Sequence, residues 1–182
     1  LDDIATLNLL DKYKNYKLTK FKKNIKNNSL LDIGSGSGRF LFHNTTQFNI
    51  SYGIEVSPKA IEYSSNQLGL NIINNISKIN TNIDIATAWH SLEHIPPIDL
   101  FAMIKKLSKL MKPGNKFIIS VPNALSIQYK LFKKYYAFYD VPNHIHQFTP
   151  ESLTILLEKN NFKKLEQTVS WPYNIFCMIQ SL

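Results

Sequence analysis

The residues best placed by type and spacing to do chemistry are three glycines, two acids and two histidine clusters. Leu30-Leu31-Asp32-Ile33 runs directly into Gly34-Ser35-Gly36-Ser37-Gly38, with Arg39-Phe40 behind it. Glycine admits backbone conformations closed to other residues and lets a ligand approach the chain. An apolar strand, a glycine turn and a helix N-terminus together make the place where α/β proteins hold nucleotide-like ligands. The spacing is not the dinucleotide fingerprint, which requires a glycine three places after the second. Arg39 stands there, and the third glycine is Gly38. The amides around Ser35, Gly36 and Gly38 are then expected to approach a ligand. Asp32 reads as the residue that orders the turn through backbone amides and water.

His90-Ser91-Leu92-Glu93-His94 matches H-x-x-E-H, a zinc-protease pattern. That chemistry needs one continuous helix to turn both rings to a shared ion. Here the motif follows an apolar strand, and Pro96-Pro97 cuts off any long helix. The expectation is that His90 and His94 share no metal and that the chain carries none. His94 reads as a structural or substrate-side residue. Pro142-Asn143-His144-Ile145-His146 places two histidines at i, i+2 with no nearby acid or cysteine to complete a ligand set. A histidine titrates near neutral pH and suits a general base. His144 is the candidate for that role, with a structural hydrogen-bonding role as the alternative. His43 is assigned to an early helix and to the surface.

The D-x-G-x-G-x-G run from Asp32 to Gly38 resembles motif I of the class I S-adenosylmethionine (SAM)-dependent methyltransferases. Four further segments follow in family-like order. Gly53-Ile54-Glu55-Val56-Ser57 resembles the second strand and its ribose-holding acid. Asp84 to Trp89 with Leu92-Glu93-His94 resembles the fourth strand and the motif after it. Met111-Lys112-Pro113-Gly114 and Phe117 to Asn123 resemble the turn and fifth strand. Asn143-His144 with Phe148 to Leu153 resembles a segment of a bacterial subgroup that modifies small molecules. The resemblance covers roughly residues 29–170. It implies SAM as cofactor, with Gly34, Ser35, Gly36 and Gly38 beside its methionine part. It implies Glu55, and Val56 next to it, at the ribose; a strand-end surface carboxylate is the alternative for Glu55. Asn74 or Asn75 would meet the adenine amine, where many members of the family carry Asp. Trp89 or His90 would pack beside the ring, plain core being the alternative for each. His144 and His94 would face the methyl acceptor.

The elements that must position these residues alternate. Residues 1–26 read as one or two helices, with seven lysines between Lys12 and Lys26 forming a solvated face. Strands are expected at 29–33, 50–56, 71–73, 83–88, 116–121 and 164–169, and helices at 39–48, 57–68 and 97–111. Ser57-Pro58 and Thr149-Pro150 are helix starts, and Gly69 is a helix stop. Alternation implies an α/β fold with a doubly wound, mostly parallel, Rossmann-like sheet. Residues 124–148, rich in aromatics, read as an inserted helical lid. No seventh strand is evident after Trp171-Pro172, which suggests a truncated C-terminus. The expected organisation is one domain over residues 1–182: a helical segment (1–28), the cofactor-binding core (29–123), the lid (124–148) and a C-terminal part (149–182).

Composition narrows the function. The formal charge is +8, which invites nucleic acid, yet of 21 basic residues only Arg39 is arginine. Readers of bases and phosphates favour arginine for its bidentate fork. A solvated lysine-rich surface is the reading taken, with nucleic acid disfavoured and a small-molecule acceptor favoured. Lys130, Lys133 and Lys134 read as a solvated face, an anionic acceptor being the alternative. A single cysteine, Cys177, allows no internal disulfide. There is no signal-peptide pattern and no apolar run of membrane-spanning length, so the expected location is the cytoplasm. The chain starts at Leu1 rather than Met, which points to residues upstream.

Overall fold

The computed structural model describes residues 4–22, 29–132, 135, 140–170 and 175–181. Its strands are β1 (Ser29–Ile33), β2 (Ile50–Ile54), β3 (Ile72–Ile73), β4 (Ile85–Trp89), β5 (Lys116–Pro122), β6 (Lys163–Ser170) and β7 (Ile175–Ser181). Its described helices are α1 (Ile4–Lys22), α2 (Arg39–Asn44), α3 (Pro58–Leu68), α4 (Pro97–Leu110), α5 (Ile127–Phe132) and α6 (Pro150–Glu158). The seven strands form one sheet in the order β3-β2-β1-β4-β5-β7-β6. Neighbours from β3 to β5 are parallel, and β7 runs antiparallel to both β5 and β6.

The seventh strand corrects the sequence reading. Ile175-Phe176-Cys177-Met178-Ile179 is a continuous apolar run without alternation, the pattern of a strand buried on both faces. It inserts between β5 and β6, with Met178 opposite Ile119 and fully buried. The expected crossover helix over 39–48 is also shorter. It stops at Asn44, whose side-chain amide donates back to the Phe40 carbonyl at 2.8 Å, and continues as a single 3-10 turn, Thr45–Gln47.

Helix ends follow the local chemistry. The Ser57 side chain accepts from the Ala60 amide ahead of Pro58, and Gly69 closes α3 in the left-handed conformation. Thr149 and Ser152 form a reciprocal capping box at the start of α6. In α4 the apolar positions Leu100, Met103, Ile104, Leu107 and Leu110 recur on one stripe and are buried.

Side-chain alternation along the strands builds two cores. Leu31, Ile33, Ala86 and Ala88 pack with α4 and α6 on one face. Leu30, Ile85 and Trp89 pack with Leu18, Phe40 and Leu41 on the other. The α1 lysines are not uniformly solvated, contrary to expectation. Lys17 is buried and donates to the Thr168 hydroxyl at 2.9 Å and the Glu166 carboxylate at 3.4 Å, which ties α1 to β6.

The insertion after β5 leaves and returns at one point: the Ala124 amide donates to the Phe148 carbonyl at 2.9 Å. Between them α5 is helical, as expected of that stretch. The expectations placed on Lys133, Lys134, Tyr136, Phe138, Tyr139, Trp171 and Pro172 fall outside the described residues.

Candidate active site

Sheet order reverses between β1 and β4, so the loops that leave their carboxyl ends part and open a crevice, the usual ligand position in such sheets. The glycine turn forms one wall. Gly34, Gly36 and Gly38 have φ of +71°, +54° and +78°. At Gly34 the loops after β1 and β4 meet. The Ser91 hydroxyl donates to the Ile33 carbonyl at 2.7 Å, and a Cβ on Gly34 would lie 2.3 Å from the Ser91 Cβ. A Cβ on Gly36 would meet nothing within 4 Å, so that glycine faces open space.

The amides of Gly34, Ser35, Gly36 and Gly38 donate within the protein. Gly34 and Ser35 both donate to the Ile54 carbonyl, at 2.8 and 2.9 Å, and Gly38 donates to the Ser35 carbonyl at 2.9 Å. Gly36 donates to Glu55 Oε2 at 2.8 Å. Glu55 Oε1 accepts the amides of Val56 and Ser57, each at 2.8 Å. The carboxylate at the end of β2 is thereby fixed against the glycine turn, with lone pairs in excess of its three bonds.

A cavity of about 720 Å³ opens there, lined among others by Gly34, Glu55, Val56, Asn74, His90 and His94. Gly36 and Gly38 border the same turn, and Ser35 is buried beneath it.

Two expected residues stand elsewhere. Asp32 does not order the turn. Its side chain points to the opposite core, where Oδ1 accepts the Thr87 hydroxyl at 2.6 Å across β1 and β4. Burial pushes its carboxyl up to about 7, against the Thr87 hydrogen bond and the Lys14 charge, which pull it down. Trp89 shares that core. Its ring meets Phe40 edge-on at 5.4 Å and lies under the Lys14 ammonium at 5.9 Å. Strand alternation explains the placement: Ala88 faces the cavity side, so Trp89 faces away.

Comparison with known proteins fits this arrangement. A family model described as a methyltransferase domain matches residues 9–167. The chain belongs to this family of methyltransferases. It is the class that the glycine turn resembles, and its cofactor is SAM. No curated protein matches. Three solved structures show the same fold. One is a SAM-dependent methyltransferase from Archaeoglobus fulgidus, 20% identical, TM-score 0.74, covering 96% of this chain and 94% of its own. A SAM-dependent methyltransferase from Clostridium acetobutylicum is 16% identical, TM-score 0.74, with 94% and 90% covered. Magnesium protoporphyrin IX methyltransferase from Synechocystis, with S-adenosylhomocysteine bound, is 15% identical, TM-score 0.72, with 94% and 80% covered.

In this methyltransferase three further histidines gather around His94, which lines the cavity. Leu92–His94 forms a 3-10 turn after β4. The insertion folds back over it: the His146 amide donates to the Glu93 carbonyl at 3.1 Å, and His146 Nε2 donates to the Ile95 carbonyl at 2.8 Å. That docking sets the His144 ring 4.7 Å from the His94 ring. His94 Nδ1 lies 3.0 Å from the Asn143 carbonyl. A carbonyl only accepts, so Nδ1 carries the proton. His90 sits beside them with φ of +54°, an uncommon backbone for a residue with a Cβ. His43 is exposed on α2, as expected.

Sequence reasoning left out two contributors. Ser91 clasps the β1 and β4 loops, and its place two residues past β4 was the available signal. Glu93 is fully buried, and neither of its carboxylate oxygens has a hydrogen-bond partner among the described residues. Its signal was the H-x-x-E-H match itself.

Proposed function

We propose that this protein transfers the methyl group of SAM to a small-molecule acceptor, a hydroxyl-bearing metabolite being the best fit. One observation carries the reading: a single cavity runs from Gly34 and Glu55 to His94, with His144 against the His94 ring. Glu55 accepts a ribose hydroxyl at the Oε2 lone pair its backbone bonds leave open, Asn74 faces the adenine, and Gly36 gives the methionine part its close approach. The acceptor enters from the histidine end. Its oxygen attacks the sulfonium methyl carbon in line; the C–O bond forms as the C–S bond breaks. S-adenosylhomocysteine would leave with the C–S bonding pair, and the acceptor's hydroxyl proton would pass to solvent water. Such a displacement gains chiefly from alignment and exclusion of water. The returning stretch of the insertion, Asn143 to His146, borders that end, and His94 and His144 orient the acceptor oxygen.

The fold relative from Synechocystis acts on a porphyrin, which supports a metabolite acceptor. The lysine-rich surface gives RNA little bidentate recognition. The test is a transfer assay with methyl-labelled SAM, offered in parallel a metabolite extract, total RNA and total protein. Label is expected in the small-molecule fraction and is expected to fall at least tenfold with Glu55→Ala. Label confined to RNA or protein would contradict the acceptor class.

A further inference from the structure

We propose that Glu93, His94 and His144 form a binding site for a divalent first-row transition cation at the acceptor end of the cavity. The role rests on the methyltransferase reading above; the binding itself does not. One ligand atom from each of the three residues lies within 4.8 Å of the others. Ligands about 2.1 Å from a shared cation stand about 3–4 Å apart, so the set has only to contract by roughly an ångström.

The buried carboxylate is the second, independent observation. Glu93 has no exposed surface, and both of its oxygens lack a hydrogen-bond partner among the described residues. Among the described residues its ion-pair contact is long, 3.5 Å to His90 Nδ1. A polar side chain buried without hydrogen-bond partners is costly unless a ligand meets it. A cation between it and the two imidazoles meets that need.

The surrounding bonds fit ligation. His94 Nδ1–H donates to the Asn143 carbonyl at 3.0 Å, which leaves the Nε2 lone pair for a metal. Metal-bound histidines characteristically anchor their second nitrogen in this way. The turn that carries His144 is braced as well: its amide donates to the Asp140 carbonyl at 2.6 Å, and the Asn143 amide group donates to the Asp140 carboxylate at 3.1 and 3.2 Å. The left-handed backbone of His90 at the same turn is strain of the kind that collects at functional sites.

The ligand pair is not the one H-x-x-E-H suggests. Its first histidine gives way to His144, brought in by the insertion, so no continuous helix is required. Two imidazoles and one carboxylate suit Zn²⁺, Mn²⁺, Fe²⁺ or Co²⁺. Three protein ligands leave coordination positions open, and His94 lines the cavity, so the open positions face the acceptor. A hydroxyl bound there is oriented and made more acidic, and His144 acts as a ligand instead of a base.

The experiment titrates chelator-stripped protein with Zn²⁺, Mn²⁺ and Co²⁺ by calorimetry and follows Tm. One equivalent per chain is expected for at least one metal, with a rise in Tm. Glu93→Gln and His144→Ala should each weaken binding at least tenfold; His43→Ala should not change it. The Co²⁺ form should show visible absorption that His144→Ala loses; His144 is only half-buried, so this variant keeps the fold. Binding of none of the three metals, or equal binding by both variants, would overturn the site. SAM titrated into the same metal-free protein separates the two readings: SAM binding without metal binding rejects the cation alone, and metal binding without SAM rejects the methyltransferase assignment alone.

Discussion

Asp32 lies inside the sheet with the Thr87 hydroxyl as its hydrogen-bond donor, and its titration gives the chain a pH-dependent stability. Its carboxyl titrates near 7 in the folded chain against an ordinary value of 3.8. Between those values the folded state holds a proton that the unfolded state has released. Stability therefore falls as pH rises through that window and levels off above it. Asp32→Asn keeps an acceptor for the Thr87 hydroxyl and removes the titration. Its unfolding free energy, measured in urea, should exceed that of the wild type by a few kcal/mol at pH 8 and match it at pH 4. A wild-type curve that is flat over this window would refute the burial argument. Gly34 gives a second expectation at this scale. Gly34→Ala combines a left-handed backbone with a Cβ 2.3 Å from that of Ser91. It should cost about 2–4 kcal/mol of stability, and Ser91→Gly in the same chain should recover part of it.

At the scale of elements, the segment after β5 decides whether His94 and His144 meet. His146 pins it with a ring hydrogen bond to the Ile95 carbonyl and an amide bond to the Glu93 carbonyl. Removing the ring with His146→Ala should raise hydrogen exchange at the His146 amide at least tenfold and leave β1 and β4 unchanged. Exchange as slow as in the wild type would mean that this contact does not hold the segment. What the sequence made legible divides along the same line. The glycine turn, the Ser57 and Thr149 caps and the α4 stripe are local patterns, and each could be read from neighbours in the chain. Burial of Lys17 could not, because its partners at Glu166 and Thr168 are more than a hundred residues away. The His94–His144 encounter depends on the same kind of distant return. β7 was missed because a short apolar run shows no period until its two neighbours are known. For Trp89 two readings were open, and the core one holds: period-two alternation from Ala88 already turns it from the cavity.

Over the whole molecule, a seven-stranded sheet with one reversed strand gathers the cavity walls from the carboxyl ends of β1, β2, β3 and β4, with Asp99, Ala102, Met103 and Lys106 of α4 on the remaining side. The charge of +8 is spread over lysines rather than gathered in arginines, and no described helix is long and apolar enough to cross a membrane. The central claim is that this cavity holds SAM through Glu55 and the glycine turn. Its most direct test is calorimetric titration of SAM into the wild type and Glu55→Ala, with circular dichroism to confirm that both are folded. One site per chain is expected in the wild type, with a loss of about 1–3 kcal/mol of binding free energy in the variant, as a charged acceptor is removed from the ribose. No binding by the folded wild type, or the same affinity in both proteins, would contradict it.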